Sequence, residues 1–589
     1  MNALKVNCYS LSNASSAATV VPLGAQLRPS HSPQSFLVAV HLLLLLTLST
    51  FLAFYNLNEG SHWGTKTAVD EDRHIRVAQE MRLSGKWWLP TLDGKPYLQK
   101  PPLKIWATWI PTSILGESHF SYRLIDAVLA QGIVLIVYLF GLRMFASSGA
   151  AFWAAFSLLG NYSFFFFHGA RSAVQDIAML FLTTLMMLYT WRVYNERGTD
   201  NRHEQILRWA ICAGILLGCA AMVKSAGAYY PAAVWFGFSL TSAECRSWLK
   251  RHATAVGLML WISLMIPAFY YIPHFLFTHN AFEHAVVFEL IDRFKMRLHD
   301  GQNTWTYFSH IAKGYVVPAW VLAPACVFAL FRGFGEKDAA CKFIFVWATA
   351  LLAILSVLPS RLSWYMASCY VPFALMIGLL TQHSLMFAVE TSGKMLRLKG
   401  TVGAARKWGA MASFIFFLFS ASQGVAYLLR VGEKVATPFP RLEIDLITET
   451  IQGYLDDAQS VGQVVSLNLP NLAGNEHIYL NMIRPEMLEL HSLDQALSLF
   501  SRAAPLFVLT SRQEAGALLE KTRPSGFAII PRCMVKQGYN LHKRTRPIFV
   551  FSYLSQELPQ GFKPMRSFDA RVLKGPWNSR LDRTANQAQ

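Results

Sequence analysis

The chain has 589 residues and carries 53 Lys and Arg against 35 Asp and Glu, a formal net charge of +18. Such a charge invites a nucleic-acid reading. Yet only 15% of residues are charged, 53% are hydrophobic and the mean hydropathy is +0.30. Disorder is excluded by that apolar content, and a single soluble globule by 41 Phe and 17 Trp with too little interior to hide them. The composition is that of a polytopic membrane protein.

In chain order, residues 1–35 are polar and Ser-rich and read as a disordered cytoplasmic tail. Eleven apolar runs of membrane-spanning character follow, at about 36–56, 123–142, 149–167, 172–191, 209–223, 226–243, 253–273, 315–331, 341–358, 364–386 and 408–428. With the N-terminus inside, basic residues gather in the cytoplasmic loops. These hold Arg143; Arg192, Arg197, Arg202 and Arg208; Arg246, Lys250 and Arg251; Arg332, Lys337 and Lys342; and Lys394 to Lys407. The alternate short loops hold one each, Arg171, Lys224 and Arg361. That asymmetry predicts an N-in, C-out topology and explains most of the +18 as a topology signal.

Three segments then fall outside: a loop over 57–122, a second over 274–314, and the C-terminal region 431–589. The last reads as a small α/β domain, with strands at Gln463–Leu469, Pro505–Leu509 and Pro547–Phe551 and a helix over Gln513–Lys521. Of eight Cys only Cys533 lies there, so no disulfide can form within it, which suits a bacterial inner membrane.

The first outer loop carries the densest signal. Asp70-Glu71-Asp72-Arg73 opens a predicted helix whose Ile75, Ala78 and Met81 recur at helical spacing, fit to lie on a membrane surface. After a Gly-Lys-Trp-Trp turn comes Gly94-Lys95-Pro96-Tyr97-Leu98-Gln99-Lys100-Pro101-Pro102-Leu103. Arg171 opens the fourth span, and Asp176 lies about five residues into it, roughly 7 Å along its axis at the standard helical rise. Lys224 closes the fifth, and Arg361 and Tyr365 open the tenth. Snorkelling ends account for Arg171 or Arg361 equally well, and a structural ion pair for Asp176. Lys224, within an apolar stretch, fits a functional role better. All share one side of the membrane with Asp70 and Lys100. Clustered cations there suit a lipid phosphate, and a carboxylate suits a general base. Together they describe group transfer from a polyprenyl-phosphate sugar. A glycosidase would need a second carboxyl acid, and no Gly-rich phosphate loop appears.

These motifs resemble the GT-C membrane glycosyltransferases of the aminoarabinose transferase and protein O-mannosyltransferase superfamily. The resemblance runs over about 36–390 and includes Phe288 to Phe294 and Ser360 to Tyr365. It implies an all-α polytopic membrane domain of GT-C type over 36–430, with about 11 or more transmembrane helices, and a small extracytoplasmic α/β domain over 431–589. By position it implies catalytic carboxylates at Asp70 and Asp176. It implies substrate contacts at Arg73, Tyr97, Lys100, Lys224, Arg293, Arg361 and Tyr365. In the aminoarabinose branch a metal can be held by a Glu and a His where this chain has Gln99 and Leu290. Neither side chain binds zinc, so no metal or other cofactor is expected. The expected partners are a polyprenyl-phosphate-linked sugar, a glycolipid such as lipid A or a protein acceptor, and membrane lipid, with no nucleic acid. The expected activity is inverting sugar transfer at the periplasmic face of a bacterial inner membrane. The alternatives are protein O-glycosylation on the same scaffold, and a lipid-carrier transporter. A transporter should carry charges at the midplane and related halves, neither of which is visible.

Overall fold

The computed structural model describes residues 33–58, 68–92, 94–166, 168–196, 202–292, 305–397 and 404–437, and the backbone of five strands between 463 and 554. The helices are α1 (Pro33–Phe54), α2 (Ala68–Ser84), α3 (Leu103–Leu115), α4 (His119–Phe145), α5 (Ser148–Leu159), α6 (Tyr162–Phe166), α7 (Asp176–Asn195), α8 (Arg202–Lys224), α9 (Tyr230–Thr241), α10 (Ala243–Arg251) and α11 (Ala253–Phe277). There follow a π-wound α12 (Glu283–Asp292), α13 (Thr306–Ala312), α14 (Ala319–Leu330), α15 (Ala339–Val357), α16 (Tyr370–Arg397) and α17 (Ala404–Ala436).

Each of the eleven apolar runs lies on helix, but the crossings do not simply number eleven. Among the described residues eight stretches are long and apolar enough to cross a membrane, and Ser148–Leu159 and Ala319–Gly335 are apolar but shorter. One of the eight, His203–Thr241, is two helices. The α-helix breaks at Lys224 (φ −142°), Ser225 takes a left-handed φ of 45°, and a 3₁₀ turn over Ser225–Tyr229 leads into α9.

Aromatic contacts fix the directions of these helices. Trp191 and Tyr194 at the end of α7, Trp235 and Phe238 at the end of α9, Trp209 near the start of α8, Trp248 of α10 and Phe343 near the start of α15 form one cluster. Its ring centroids lie 4.6 Å (Trp191–Phe343) to 6.4 Å (Trp191–Phe238) apart. Hence α7 and α9 run opposite to α8 and α15. The start of α7, the end of α8 and the end of α15 therefore share the other end of the bundle.

In lipid, helix association relies on close packing rather than on burial from water. The Ala150, Ala151, Ala154 and Ala155 stripe of α5 is buried against α4 and α16. Gly214 and Gly218 of α8, one turn apart, face α11, where an added Cβ would meet Met259 O at 2.8 Å and Ile266 Cδ1 at 2.6 Å.

The described residues of the 57–122 loop fold into their own layer. β1 (Thr91–Leu92) and β2 (Lys95–Pro96) pair as an antiparallel hairpin, pinned by Glu80, which accepts from the Thr91 hydroxyl (2.7 Å) and the Gly94 N–H (3.1 Å). The apolar face of α2 does not lie in lipid as its spacing suggested. Ile75, Ala78 and Met81 are buried with Val77 beneath Tyr97, Ile105, Tyr122 and Ala173, so α3 and the hairpin cover it.

In the C-terminal region the sheet order is β4-β3-β5-β7-β6, with β3 (Gln463–Leu467), β4 (Leu488–Leu490), β5 (Leu506–Ser511), β6 (Ala528–Lys536) and β7 (Pro547–Leu554). β3 runs parallel to β4 and β5, while β7 is antiparallel to β5 and β6. The three expected strands are present, with β4 and β6 in addition. The expected helix at Gln513–Lys521 lies outside the described residues.

Candidate active site

Asp70 enters the first turn of α2, where a carboxylate faces the positive helix end. Its side chain is about a third exposed. Arg73 Nη1 lies 3.4 Å from Oδ1, and His168 Nε2 3.5 Å from Oδ2. Burial alone would raise the Asp70 carboxyl. The neighbouring His168, Arg73 and Lys100 outweigh it and hold the group below the ordinary carboxylate range, so Asp70 is ionised at neutral pH. His74, one turn on, is buried with Nε2 2.8 Å from Gln175 Nε2. Burial, helped by the Lys100 and Arg73 charges and opposed by Asp70, pushes it down to about 3, which keeps it a neutral imidazole.

Asp176 begins α7 and is buried. One oxygen is ion-paired to Lys224 Nζ, and the other lies 3.3 Å from His168 Nδ1. The Lys224 ammonium also sits 5.3 Å from the Tyr365 ring centroid, a cation–π distance. Asp70, His168, Asp176 and Lys224 thus form one chain of contacts from the loop layer into the helix bundle.

A cavity of about 350 Å³ opens from this chain. Lys100, Asp176, Lys224, Ser360 and Tyr365 line its polar end, and Met179, Ala233, Leu351, Ile354, Leu355 and Leu358 its apolar body. A phosphate held by ammonium groups, with a hydrocarbon tail along the apolar walls, matches that division.

The structure therefore brings together Asp70, Asp176, Arg73, Lys100, Lys224 and Tyr365. Tyr97 is not among the cavity's lining residues. It is buried in the α2–α3 layer, its backbone N–H donating to Pro90 O at 2.8 Å. Arg361 also lies off the cavity lining, and its Nε donates to Ser356 O at 3.0 Å. Arg293 and the Leu290 side chain lie outside the described residues, and Gln99 is half-buried beside Lys100. Among the described residues no three His, Cys, Asp or Glu side chains could hold a metal ion.

Three structural roles were not legible in sequence. Glu71 is buried and takes a bidentate bond from Arg123 (2.7 and 3.0 Å) and the Ala173 N–H (2.9 Å), which ties α2 to α4 and to the strand of chain before α7. Arg171 is no snorkelling end: its guanidinium donates to Leu52 O (3.0 Å), Tyr55 O (2.8 Å) and Asn56 O (2.9 Å), capping the C-terminus of α1. His168 had no local signal at all, being one polar residue after an aromatic run.

Known proteins agree with this architecture. Residues 99–271 match the family model of dolichyl-phosphate-mannose-protein mannosyltransferase. An undecaprenyl phosphate-α-4-amino-4-deoxy-L-arabinose arabinosyl transferase of Pseudomonas fluorescens is 26% identical over 347 residues, 57% of this chain and 59% of the relative. The same-named protein of another P. fluorescens strain is 24% identical over 461 residues, 72% of this chain and 75% of the relative. The match to the first relative thus spans under two thirds of that protein's length. The crystal structure of ArnT from Cupriavidus metallidurans bound to undecaprenyl phosphate superposes with a TM-score of 0.57 at 15% identity, over 88% of this chain and 97% of that one. The apo oligosaccharyltransferase of Archaeoglobus fulgidus gives 0.51 at 12% identity, over 82% and 70%. These two likenesses are of fold. With the motifs, the family match and the curated relatives, they support the resemblance to the GT-C aminoarabinose transferase and protein O-mannosyltransferase superfamily, in a multi-pass membrane chain.

Proposed function

We propose that the chain is an inverting glycosyltransferase that moves a sugar from a polyprenyl-phosphate carrier to an envelope glycolipid such as lipid A, at the periplasmic face of a bacterial inner membrane. The observation that carries this reading is the cavity whose polar end joins Lys100, Lys224 and Tyr365 to Asp176 while its body is apolar. The carrier phosphate sits against the Lys100 and Lys224 ammonium groups and its prenyl chain follows the leucine-lined wall. Asp176 holds the Lys224 ammonium in place.

Asp70, ionised and partly open to solvent, takes the proton of the acceptor hydroxyl as that oxygen attacks the anomeric carbon. The glycosidic C–O bond forms and the bond from carbon to phosphate oxygen breaks on the opposite face, inverting the centre. The leaving phosphate needs charge stabilisation rather than a proton, so one base and several cations suffice. Residues 36–430 carry this chemistry and 431–589 are an accessory unit.

Mass spectrometry of envelope lipids and glycoproteins, from cells with the wild-type chain, with Asp70→Asn and with none, tests the reading. One glycolipid should lose a sugar-sized mass in both deficient strains, while Asp70→Asn still accumulates in the membrane. Full modification with Asp70→Asn removes the mechanism. A mass lost from a peptide instead selects the protein O-glycosyltransferase reading, which the name of the matched family model favours.

A further inference from the structure

We propose that His168 is the positioning residue that relays the acceptor's proton, drawing it from Asp70 onto its Nε2 while Asp176 holds Nδ1. The inference rests on the glycosyl-transfer reading above and adds to it a residue to which the motifs assign no role.

Four observations converge on this imidazole. It is 4% exposed, and its Nε2 has no hydrogen-bond partner although buried, a state that needs a reason. That atom is aimed at Asp70 Oδ2, 3.5 Å away, one step short of a hydrogen bond. The opposite nitrogen lies 3.3 Å from Asp176 Oδ2, so Nδ1–H donates there and Nε2 is the nitrogen that faces Asp70. The ring lies flat on Trp364, centroids 4.2 Å apart and planes 6° apart.

The backbone is held to the same end. His168 has a left-handed φ of 52°, uncommon and costly for a side chain of this size, and such strain persists where the surroundings over-determine it. Gly169 next to it admits no side chain, since a Cβ would sit 2.3 Å from Phe164 O, and the Ala170 and Arg171 N–H groups donate back to Phe164 O and Phe165 O.

The proton balance is simple. The acceptor O–H breaks, and its proton passes to the Asp70 carboxylate and then to His168 Nε2. The imidazolium so formed lies between two carboxylates, Asp70 and Asp176, while the carrier leaves as its phosphate. The proton returns to solvent through the exposed edge of Asp70. The charged and titratable groups around the ring are Asp70, Arg73 and His74 of α2, Lys100, Asp176 of α7 and Lys224 of α8. The Lys224 charge is spent on the far oxygen of Asp176, which leaves the near oxygen for His168.

The test compares His168→Asn with His168→Gln in the full-length, detergent-solubilised chain. Asn can keep the bond to Asp176 but offers no base to Asp70. Binding of polyprenyl monophosphate is measured alongside transfer between the donor and acceptor that envelope mass spectrometry names. Both variants should bind the polyprenyl monophosphate within about two-fold of wild type. Their kcat should fall by about 10²–10³-fold, the usual scale for a lost proton-transfer group. The acid limb of the pH–rate profile should change shape, because the group that draws the proton from Asp70 is gone. A purely structural histidine would show recovery of kcat and of the wild-type profile in His168→Asn, and that result overturns the relay alone. A wild-type chain that neither binds polyprenyl monophosphate nor transfers sugar overturns the relay and the glycosyl-transfer reading together.

Discussion

Glu71 and Asp70 are adjacent carboxylates with opposite fates, set by where the first turn of α2 points them. Asp70 keeps a third of its side chain in solvent, while Glu71 is 1% exposed and spends both oxygens on Arg123 and the Ala173 N–H. Removing one member of a buried pair strands the other charge and costs about 3–5 kcal/mol, against roughly 0–1 kcal/mol for an exposed pair. Glu71→Ala should therefore lose about 3–5 kcal/mol of stability by chemical denaturation in mixed micelles. Pairing it with Arg123→Met should restore part of that. A loss below about 1 kcal/mol for the single variant would mean that solvent reaches Arg123. No pattern in the sequence separates these two acids. The partner of Glu71 lies 52 residues downstream, and only the packing of α2 on α4 shows that Glu71 is scaffold while Asp70 stays partly open.

At the scale of elements, α8 decides where the Lys224 ammonium stands. Its apolar run and its end at Lys224 were legible, because length and charge punctuate a membrane helix sharply, whereas α7 begins at Asp176, about four residues later than its apolar run suggests. What fixes its depth was not: Gly214 and Gly218 look like any glycines until α11 is placed against them. The two obstacles differ in kind. A Cβ at 214 meets the Met259 carbonyl at 2.8 Å, backbone that cannot step aside, whereas one at 218 first meets the tip of Ile266 at 2.6 Å. Gly214→Ala should cost about 1–3 kcal/mol through overpacking. Gly218→Ala should cost less, since the Ile266 tip can yield even though the Ile266 Cβ stays at 3.0 Å, and Ala gains up to about 1 kcal/mol of helix propensity. Thermal unfolding of the two variants in detergent checks the order, and equal losses would contradict it. The hairpin and α2 teach the same lesson. Their positions in the sequence are plain, but the spacing alone points the apolar face of α2 at lipid, because Tyr97 and Ile105, its cover, arrive from elements later in the chain.

For the whole molecule, the antiparallel order of α7, α8, α9 and α15 puts Asp70, Asp176, Lys224 and Tyr365 at one end and the aromatic cluster at the other. The net charge then has a direction to specify. Basic residues such as Arg192, Arg208, Arg246, Lys250, Arg332 and Lys342 gather at the aromatic end, the end that the positive-inside bias expects to face anionic cytoplasmic lipid. Ion pairs occur at both ends. Those at the cavity end, Asp176 with Lys224, Glu71 with Arg123 and Lys104 with Asp126, are largely buried, whereas Arg192–Glu196, Arg208–Glu204 and Arg332–Glu336 at the aromatic end are partly exposed. The two ends can be told apart by single cysteines in intact spheroplasts, using a membrane-impermeant maleimide. Lys95→Cys, on the exposed hairpin, should label from outside. Lys337→Cys, exposed just before α15, should label only after the membrane is opened. The reverse result would put the cavity in the cytoplasm and its acceptor among inner-leaflet molecules. It would also require basic loops to face outward against the usual bias, so that one labelling pattern decides both the address carried by the +18 charge and the side on which the proposed transfer would take place.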